Sequence, residues 1–300
     1  MIKTNNEDLY LKLLVDILDN GIEAQDRTGV GTISVFGEQI RFNIVDAFPL
    51  FTTKSINWLA VVSELLWFIE GSGDERRLAR IRYGSDISDE ELDKKKTIWT
   101  ANAEAGYWKD KAKFKGDLGR VYGVQWRDWR TPILLGDGSV GVKSTDQLAD
   151  LINGIKQDPQ GRRHLLTAWN PGELDQMALP PCHVISQFYV RNGELSCQLY
   201  IRSNDMFLGN PFNVASYSLL TLMIAQVCNL KAKEFILTIG DAHIYLNHLE
   251  QVETQINRVV MSEPTVKINP DVKFIDDFKM NDFELCDYDP QEAISAPMAV

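Results

Sequence analysis

Apolar residues recur along this chain with two periods, and the periods mark out its elements. Leu9, Leu13 and Ile17 fall at helical spacing, with Thr4 to Glu7 reading as a capping box ahead of them and Gly21 as the terminator. From Thr32 to Ile44 the pattern alternates, Ile33 and Val35 and then Ile40, Phe42 and Ile44, with Gly37 between the two sets; strands with a bend or bulge are predicted. Trp58 to Ile69 is apolar on every side and predicts a buried helix, although Glu64 lies within it. Thr145 to Gln157 is amphipathic, and a strand is predicted near His164 to Trp169. Val184 to Val190 and Leu195 to Ile201 alternate and are joined by Arg191-Asn192-Gly193-Glu194, an Asn-Gly hairpin signal. Val214 to Leu230 predicts a second buried helix, and Phe235 to Ile239 a strand leading into Asp241-Ala242-His243. The charge-rich, weakly periodic stretch from Arg76 to Lys115 reads as a variable surface insertion with little evident chemistry beyond Ile98 and Trp99.

No internal repeat and no Pro/Gly/Ser linker divides the chain, so one α+β domain over residues 1–300 is expected, with a large mixed or antiparallel sheet and buried helices. The 44% apolar and 10% aromatic content is enough for a sizeable core and excludes a disordered or fibrous protein. The 31 Lys and Arg against 42 Asp and Glu leave a net charge of −11, so a nucleic-acid partner is not expected. A small anion held by a local arginine cluster stays compatible with that balance. The segment Met206 to Leu230 is the longest uncharged run, but Asn210, Pro211, Asn213, Ser216 and Gln226 interrupt it, which favours a core helix over a membrane span. The start, MIKTNNEDLYLKLL, lacks the pattern of a secretory signal; a cytoplasmic location, or the host cytoplasm for a phage-encoded chain, is the expectation. Cys182, Cys197, Cys228 and Cys286 form no CxxC pair and read as reduced thiols rather than a disulfide framework or zinc site.

Cys182 stands in Leu179-Pro180-Pro181-Cys182-His183, where two prolines stiffen the backbone just before a strand. A lone cysteine is more often a small buried hydrophobe, as Cys197 and Cys228 are read. The hairpin shifts that reading, because Arg202 and Ser203 end the strand paired with the one Cys182 begins. A guanidinium there lowers a thiol pKa and grips phosphate, so an anionic substrate would sit beside an activated nucleophile. Arg162, Arg163 and Arg27, the last in Asp26-Arg27-Thr28-Gly29-Val30-Gly31, are further candidate phosphate ligands, each also readable as a solvated surface charge. Glu64 in its apolar surroundings is either paired or raised in pKa, unless it emerges on a minor polar face beside Ser63. Asp241, His243 and Tyr245 share one face of an extended segment, a weak hydroxyl-binding signal. His243 and His248 are five residues apart, unlike the four of helical metal pairs, and no metal is expected.

Taken in order, DRTGVG, ELLWF, YGVQWRDW, GRR, TAWNPGELDQMALPPCH, RSND, FLGNPFNVASY, GDAHIYLNH and the terminal APMAV resemble the thymidylate synthase family over nearly the whole chain, with 76–115 the main region outside the pattern. The resemblance implies that family's fold, a homodimer formed through the sheet, and a site binding deoxyuridylate (dUMP) and 5,10-methylenetetrahydrofolate as co-substrate. By motif, Cys182 would attack C6 of the base. Arg27, Arg202 and Ser203 would hold the phosphate with Arg162 and Arg163 of a second copy, and His243 and Tyr245 the ribose. Asn213 would read O4 and N3, and Glu64, Tyr122 and His183 would relay protons. Lys54, Ile98, Trp99, Leu179, Asp205, Leu208, Gly209 and Phe212 would bind or orient the folate, and Ala299-Val300 would close over it.

Two departures stand out: Ile201 replaces the usual Gln before Arg-Ser, and Asn210 replaces an aliphatic residue. Ile-Arg-Ser-Asn-Asp looks like the phage pyrimidine-nucleotide hydroxymethylases of the same superfamily, in which water rather than hydride captures the exocyclic methylene. Those acting on deoxycytidylate (dCMP) carry Asp where this chain has Asn213, which favours dUMP here. The retained APMAV tail favours a closed, dry site. Reductive methylation to thymidylate is therefore the expectation, with hydroxymethylation as the alternative. A nucleotide-binding regulator without catalysis is a more distant third, since Cys182, Glu64, Tyr122 and His183 are all present.

Overall fold

The structure is a computed structural model describing residues 5–298. In chain order it contains α1 (Asn6–Asn20), β1 (Ile22–Ala24), β2 (Thr32–Asn43), α2 (Trp58–Glu70), α3 (Glu75–Tyr83), α4 (Asp89–Leu92), α5 (Thr100–Glu104), α6 (Gly106–Lys109), α7 (Gly123–Arg127), β3 (Trp129–Leu134) and β4 (Val140–Thr145). Then follow α8 (Gln147–Gln157), β5 (Leu165–Thr167), β6 (His183–Arg191), β7 (Glu194–Asp205), α9 (Gly209–Val227), β8 (Lys231–Tyr245), α10 (Leu249–Ile256), β9 (Thr265–Ile268) and β10 (Phe283–Cys286).

A six-stranded mixed sheet in the order β1-β2-β8-β7-β6-β5 organises this α+β fold. Every neighbouring pair is antiparallel except β7 and β8, which run parallel and are connected through α9. The parallel crossover brings the C-terminal ends of β7 and β8 to one edge, where Ser203 lies opposite Asp241 and Asp205 opposite His243. The Asn-Gly turn joins β6 to β7 with Asn192 at φ 54° and Gly193 at φ 76°, the left-handed pair that a two-residue hairpin needs.

The core lies between one face of this sheet and the helices. Ile40 and Phe42 of β2, Leu199 of β7 and Phe235 and Leu237 of β8 meet Tyr10, Leu14 and Ile17 of α1 and the length of α9 there. On the other face Tyr189, Gln198 and Tyr200 are exposed. Gln39 and Gln198 both donate to Thr238 Oγ1, at 3.0 and 3.1 Å.

Several expectations are refined. The cap of α1 is Asn5, whose side chain accepts the Glu7 N–H; Thr4 lies outside the described residues. Glu7 is instead buried, its carboxylate taking the N–H and hydroxyl of both Thr52 and Thr53 at 2.5 to 2.8 Å. Residues 32–43 form one strand whose pairing with β8 keeps its register on both sides of Gly37, at φ 93°; there is a local turn of the backbone but no bulge. Leu59 of α2 is 56% exposed, so that helix is not buried all round. Within 76–115 most of the charges face water, yet Leu78, Leu92, Trp99 and Trp108 are buried in the core. No helix among the described residues is long and apolar enough to cross a membrane.

Candidate active site

Cys182 sits at the foot of β6, held from two sides. Its backbone N–H donates to Tyr122 Oη at 2.8 Å, and its carbonyl accepts the Arg202 N–H at 3.0 Å. The Arg202 guanidinium donates to the carbonyls of Pro181 at 2.9 Å and Pro180 at 3.1 Å, and its Nη2 lies 3.9 Å from the sulfur. The hairpin therefore does bring arginine and thiol together. Its electrostatic outcome differs from the sequence expectation, because burial raises the thiol pKa and the Arg202 charge and the Tyr122 hydrogen bond offset this only in part.

The loop carrying Cys182 is buttressed from behind. Ala178 donates to the Leu118 carbonyl at 3.0 Å and Arg120 to the Gln176 carbonyl at 2.9 Å. Gly119 passes so close at φ 70° that a Cβ there would lie 2.1 Å from the Gln176 carbonyl oxygen. The nearly buried Arg120 side chain bonds Glu173 at 2.7 Å and Asp128 at 2.9 Å, and Gln125 donates to the same Glu173 oxygen at 2.8 Å. The stretch from Trp169 to Cys182 is thus tied down along its length.

Tyr122 follows directly in this region and occupies φ 33°, a strained conformation for a tyrosine. Its ring stacks on Phe68 at 5.0 Å between centroids and meets His183 and Trp99 edge-on at 5.0 and 5.6 Å. Glu64, on α2, accepts the Trp99 indole N–H at 2.7 Å. Burial pushes the Glu64 carboxyl up to about 7, with that hydrogen bond working against the rise. It is poised to exchange a proton near neutrality.

His183 is buried, and desolvation drives its imidazole down to about 3, so the ring is neutral. Its Nε2 lies 2.8 Å from Asn213 Nδ2, while Asn213 Oδ1 accepts from Asn204 Nδ2 at 2.8 Å. Asp205 closes the end of β7: its Oδ1 accepts the N–H of Phe207 at 2.9 Å and of Leu208 at 3.0 Å. Lys54 is only 4% exposed; it donates to the Phe207 carbonyl and its Nζ lies 3.5 Å from the Phe207 ring centroid. Burial pulls the Lys54 ammonium down to about 7, against the attraction of Asp205.

On β8, His243 Nδ1 and Asp241 Oδ1 are 2.7 Å apart, and Tyr245 stands edge-on to the His243 ring at 5.2 Å. Burial, with Asp205 nearby, pushes the Tyr245 phenol up to about 12. Leu179, Leu208 and Phe212 are partly exposed and rest on the core, and a Cβ at Gly209 would lie 3.7 Å from both Asn213 Oδ1 and Asp205 Cβ. These residues converge from five elements.

Other candidates stand further out. Arg27 is exposed on a loop braced by Asp26, which accepts from Thr28 N at 3.0 Å, Thr28 Oγ1 at 2.7 Å and Gly31 N at 2.9 Å; its charge bears on the Tyr245 phenol. Arg162 and Arg163 are exposed before β5; the Arg163 carbonyl accepts the Leu165 N–H at 3.1 Å, and neither guanidinium makes a hydrogen bond or ion pair among the described residues. Ile98 is 54% exposed although Trp99 beside it is buried. Ala299 and Val300 lie outside the described residues, but the tail reaches the site, because His248 Nε2 donates to the Pro297 carbonyl at 2.7 Å and its ring lies 5.5 Å from both Tyr245 and Phe207. Among the described residues no group of three or more His, Cys, Asp or Glu is placed to hold a metal. Sequence reasoning gave no role to Asn204 or to Tyr217, whose ring meets His183 edge-on at 5.3 Å. Asn204 stands in the polar run Arg202-Ser203-Asn204-Asp205, where its residue type does not single it out.

Fold and site together define an α+β protein built around one cysteine, with an arginine at its sulfur and a high-pKa carboxylate and neutral histidine nearby. Residues 8–300 match the thymidylate synthase family, and the chain belongs to it. It is 48% identical over 299 residues to a bifunctional dihydrofolate reductase-thymidylate synthase of Zea mays, a match covering 99% of this chain and 55% of the maize protein. The chain thus spans about half the length of that curated relative.

Proposed function

We propose that this chain transfers the one-carbon unit of 5,10-methylenetetrahydrofolate to C5 of dUMP through a covalent adduct between Cys182 and C6, and that the product is thymidylate. The observation that carries the reading is the Arg202 guanidinium, which spans the Pro180 and Pro181 carbonyls and lies 3.9 Å from the Cys182 sulfur. An anion gripped there sits beside the nucleophile.

Addition of the thiolate to C6 makes C5 a carbon nucleophile, and loss of the C5 proton with later expulsion of the thiolate restores the ring. The folate supplies the methylene and, in a synthase, the hydride that reduces it. Glu64, with a carboxyl near 7, suits proton exchange at the base. Arg27, Arg202 and Ser203 hold the phosphate, joined by Arg162 and Arg163 of a second copy. His243 and Tyr245 take the ribose and Asn213 the base edge. Lys54, Asp205, Leu179, Leu208, Gly209 and Phe212, with Ile98, Trp99 and the Ala299-Val300 terminus, surround the folate. The homodimer would form through the open face of the sheet, where Tyr189, Gln198 and Tyr200 are exposed.

A second reading, hydroxymethylation, is favoured by the polar pair Asn204 and Asn210 buried beside Asn213. Mass spectrometry of the nucleotide, with dihydrofolate followed by absorbance, separates the two. Thymidylate with dihydrofolate is expected, and hydroxymethyl-dUMP without dihydrofolate would replace that conclusion. Cys182→Ser is expected to bind dUMP and turn nothing over; full activity in that variant would remove the nucleophile from the scheme.

A further inference from the structure

An asparagine does not by itself distinguish uracil from cytosine. Uracil offers an acceptor at O4 and a donor at N3, cytosine a donor at N4 and an acceptor at N3, and a carboxamide rotated by half a turn matches either. Selectivity therefore belongs to whatever stops that rotation. In this chain Asn213 Oδ1 accepts from Asn204 Nδ2 at 2.8 Å, and Asn204 Oδ1 in turn accepts from Asn210 Nδ2 at 2.6 Å. At the far end Asn213 Nδ2 faces His183 Nε2 at 2.8 Å. Each atom of the Asn213 amide keeps one free valence for a ligand: a second lone pair on Oδ1 and a second hydrogen on Nδ2.

Asn204 is 3% exposed and Asn210 is fully buried. Asn210 and Asn213 lie three residues apart at the start of α9, on one helix face, and Asn204 reaches them from the end of β7. Asn210 Oδ1 finds no partner among the described residues, so this side chain is not buried to satisfy itself. What it does is aim Asn204. Turning Asn213 alone would set its NH2 against the Asn204 NH2, two donors at hydrogen-bond distance. Reversing the whole chain requires three amides to rotate and the His183 proton to change nitrogen together.

We propose that Asn204 and Asn210 are positioning residues that fix the polarity of the Asn213 amide and so commit the site to one pyrimidine, uracil. The inference rests on Asn213 reading the base edge, as in the proposed function.

The test is release of tritium from [5-³H]dUMP and [5-³H]dCMP with methylenetetrahydrofolate, which reads C5 chemistry whether the product is methylated or hydroxymethylated. In Asn204→Leu, which keeps the branched shape and removes the amide, the ratio of kcat/KM for dUMP over dCMP is expected to fall at least about tenfold. In Asn210→Leu, which acts through Asn204, a smaller fall is expected, and the double variant should match Asn204→Leu because the two act in series. Thermal denaturation identifies folded variants; should Asn204→Leu fail to fold, Asn204→Ser and Asn210→Leu carry the same comparison. An unchanged ratio in a folded variant overturns the proposal while leaving the functional reading intact. Failure of the unaltered protein to release tritium from dUMP overturns that reading and the proposal with it.

Discussion

The indole N–H of Trp99 donates to Oε1 of Glu64 at 2.7 Å, joining a segment that reads as surface on charge alone to a carboxyl at the centre of the site. The bond favours the ionised form while burial favours the neutral one, and the carboxyl settles at about 7. Trp99→Phe keeps an aromatic ring and removes the donor. The Glu64 pKa is then expected to rise by about 1–2 units, the range of a charge-assisted hydrogen bond. The midpoint of the rising limb of kcat/KM against pH should move up correspondingly; an unmoved limb would mean that another group sets it.

Glu64→Gln separates stability from activity. The folded pKa is raised, so Glu64 contributes stability below its ordinary value of 4.5 and loses it as the pH climbs through about 7. The neutral amide escapes that loss. At pH 8 the variant should be more stable than the parent by about 1–3 kcal/mol in urea unfolding, with the advantage gone at pH 4.5, and inactive throughout.

Tyr122→Phe leaves the Cys182 N–H without its acceptor. Loss of about 1–3 kcal/mol in stability is expected for the orphaned donor. The same hydroxyl lowers the thiol pKa, so alkylation of Cys182 by iodoacetamide at fixed pH should slow. Faster alkylation would show that the hydroxyl shields the sulfur instead.

His183 supplies an acid-sensitive component of opposite sign to Glu64. Its folded pKa, near 3, lies below its ordinary 6.5, so the neutral ring stabilises the fold above about 6.5 and that contribution drains away as the pH falls toward 3. In His183→Gln the dependence of unfolding free energy on pH between 6 and 4 should be shallower by up to about 1.4 kcal/mol per pH unit. Identical slopes would mean that the imidazole is charged in the native protein.

Local signals carried most of the long elements. The Asn192-Gly193 turn, the apolar faces of α1 and α9 and the alternation in β2 were all readable because each depends on residues a few positions apart. The β3/β4 hairpin was not, since Pro132 lies inside a strand and neither arm alternates cleanly; nor was the short β9/β10 pair, whose nearest register pair, Ile268 with Phe283, is already 15 positions apart along the chain. Which strand adjoins which is also silent in a period, so the parallel contact of β7 with β8 had to come from the three-dimensional arrangement. At the site, motif resemblance found the residue types, but the Tyr122 to Cys182 bond spans 60 positions and the thiol's net pKa depends on how completely it is desolvated. Neither can be computed from neighbours in the chain.

The carboxylate of Asp205 is asymmetric in its obligations. One oxygen is committed to the amides of Phe207 and Leu208 and so shapes the turn into α9, an interaction that needs only a lone pair. The amide of an asparagine would offer the same lone pair there. In the proposed folate site the other oxygen is the one left for a ligand, so scaffold and recognition would fall to different atoms of a single side chain, and Asp205→Asn is expected to change ligand binding without redrawing the loop.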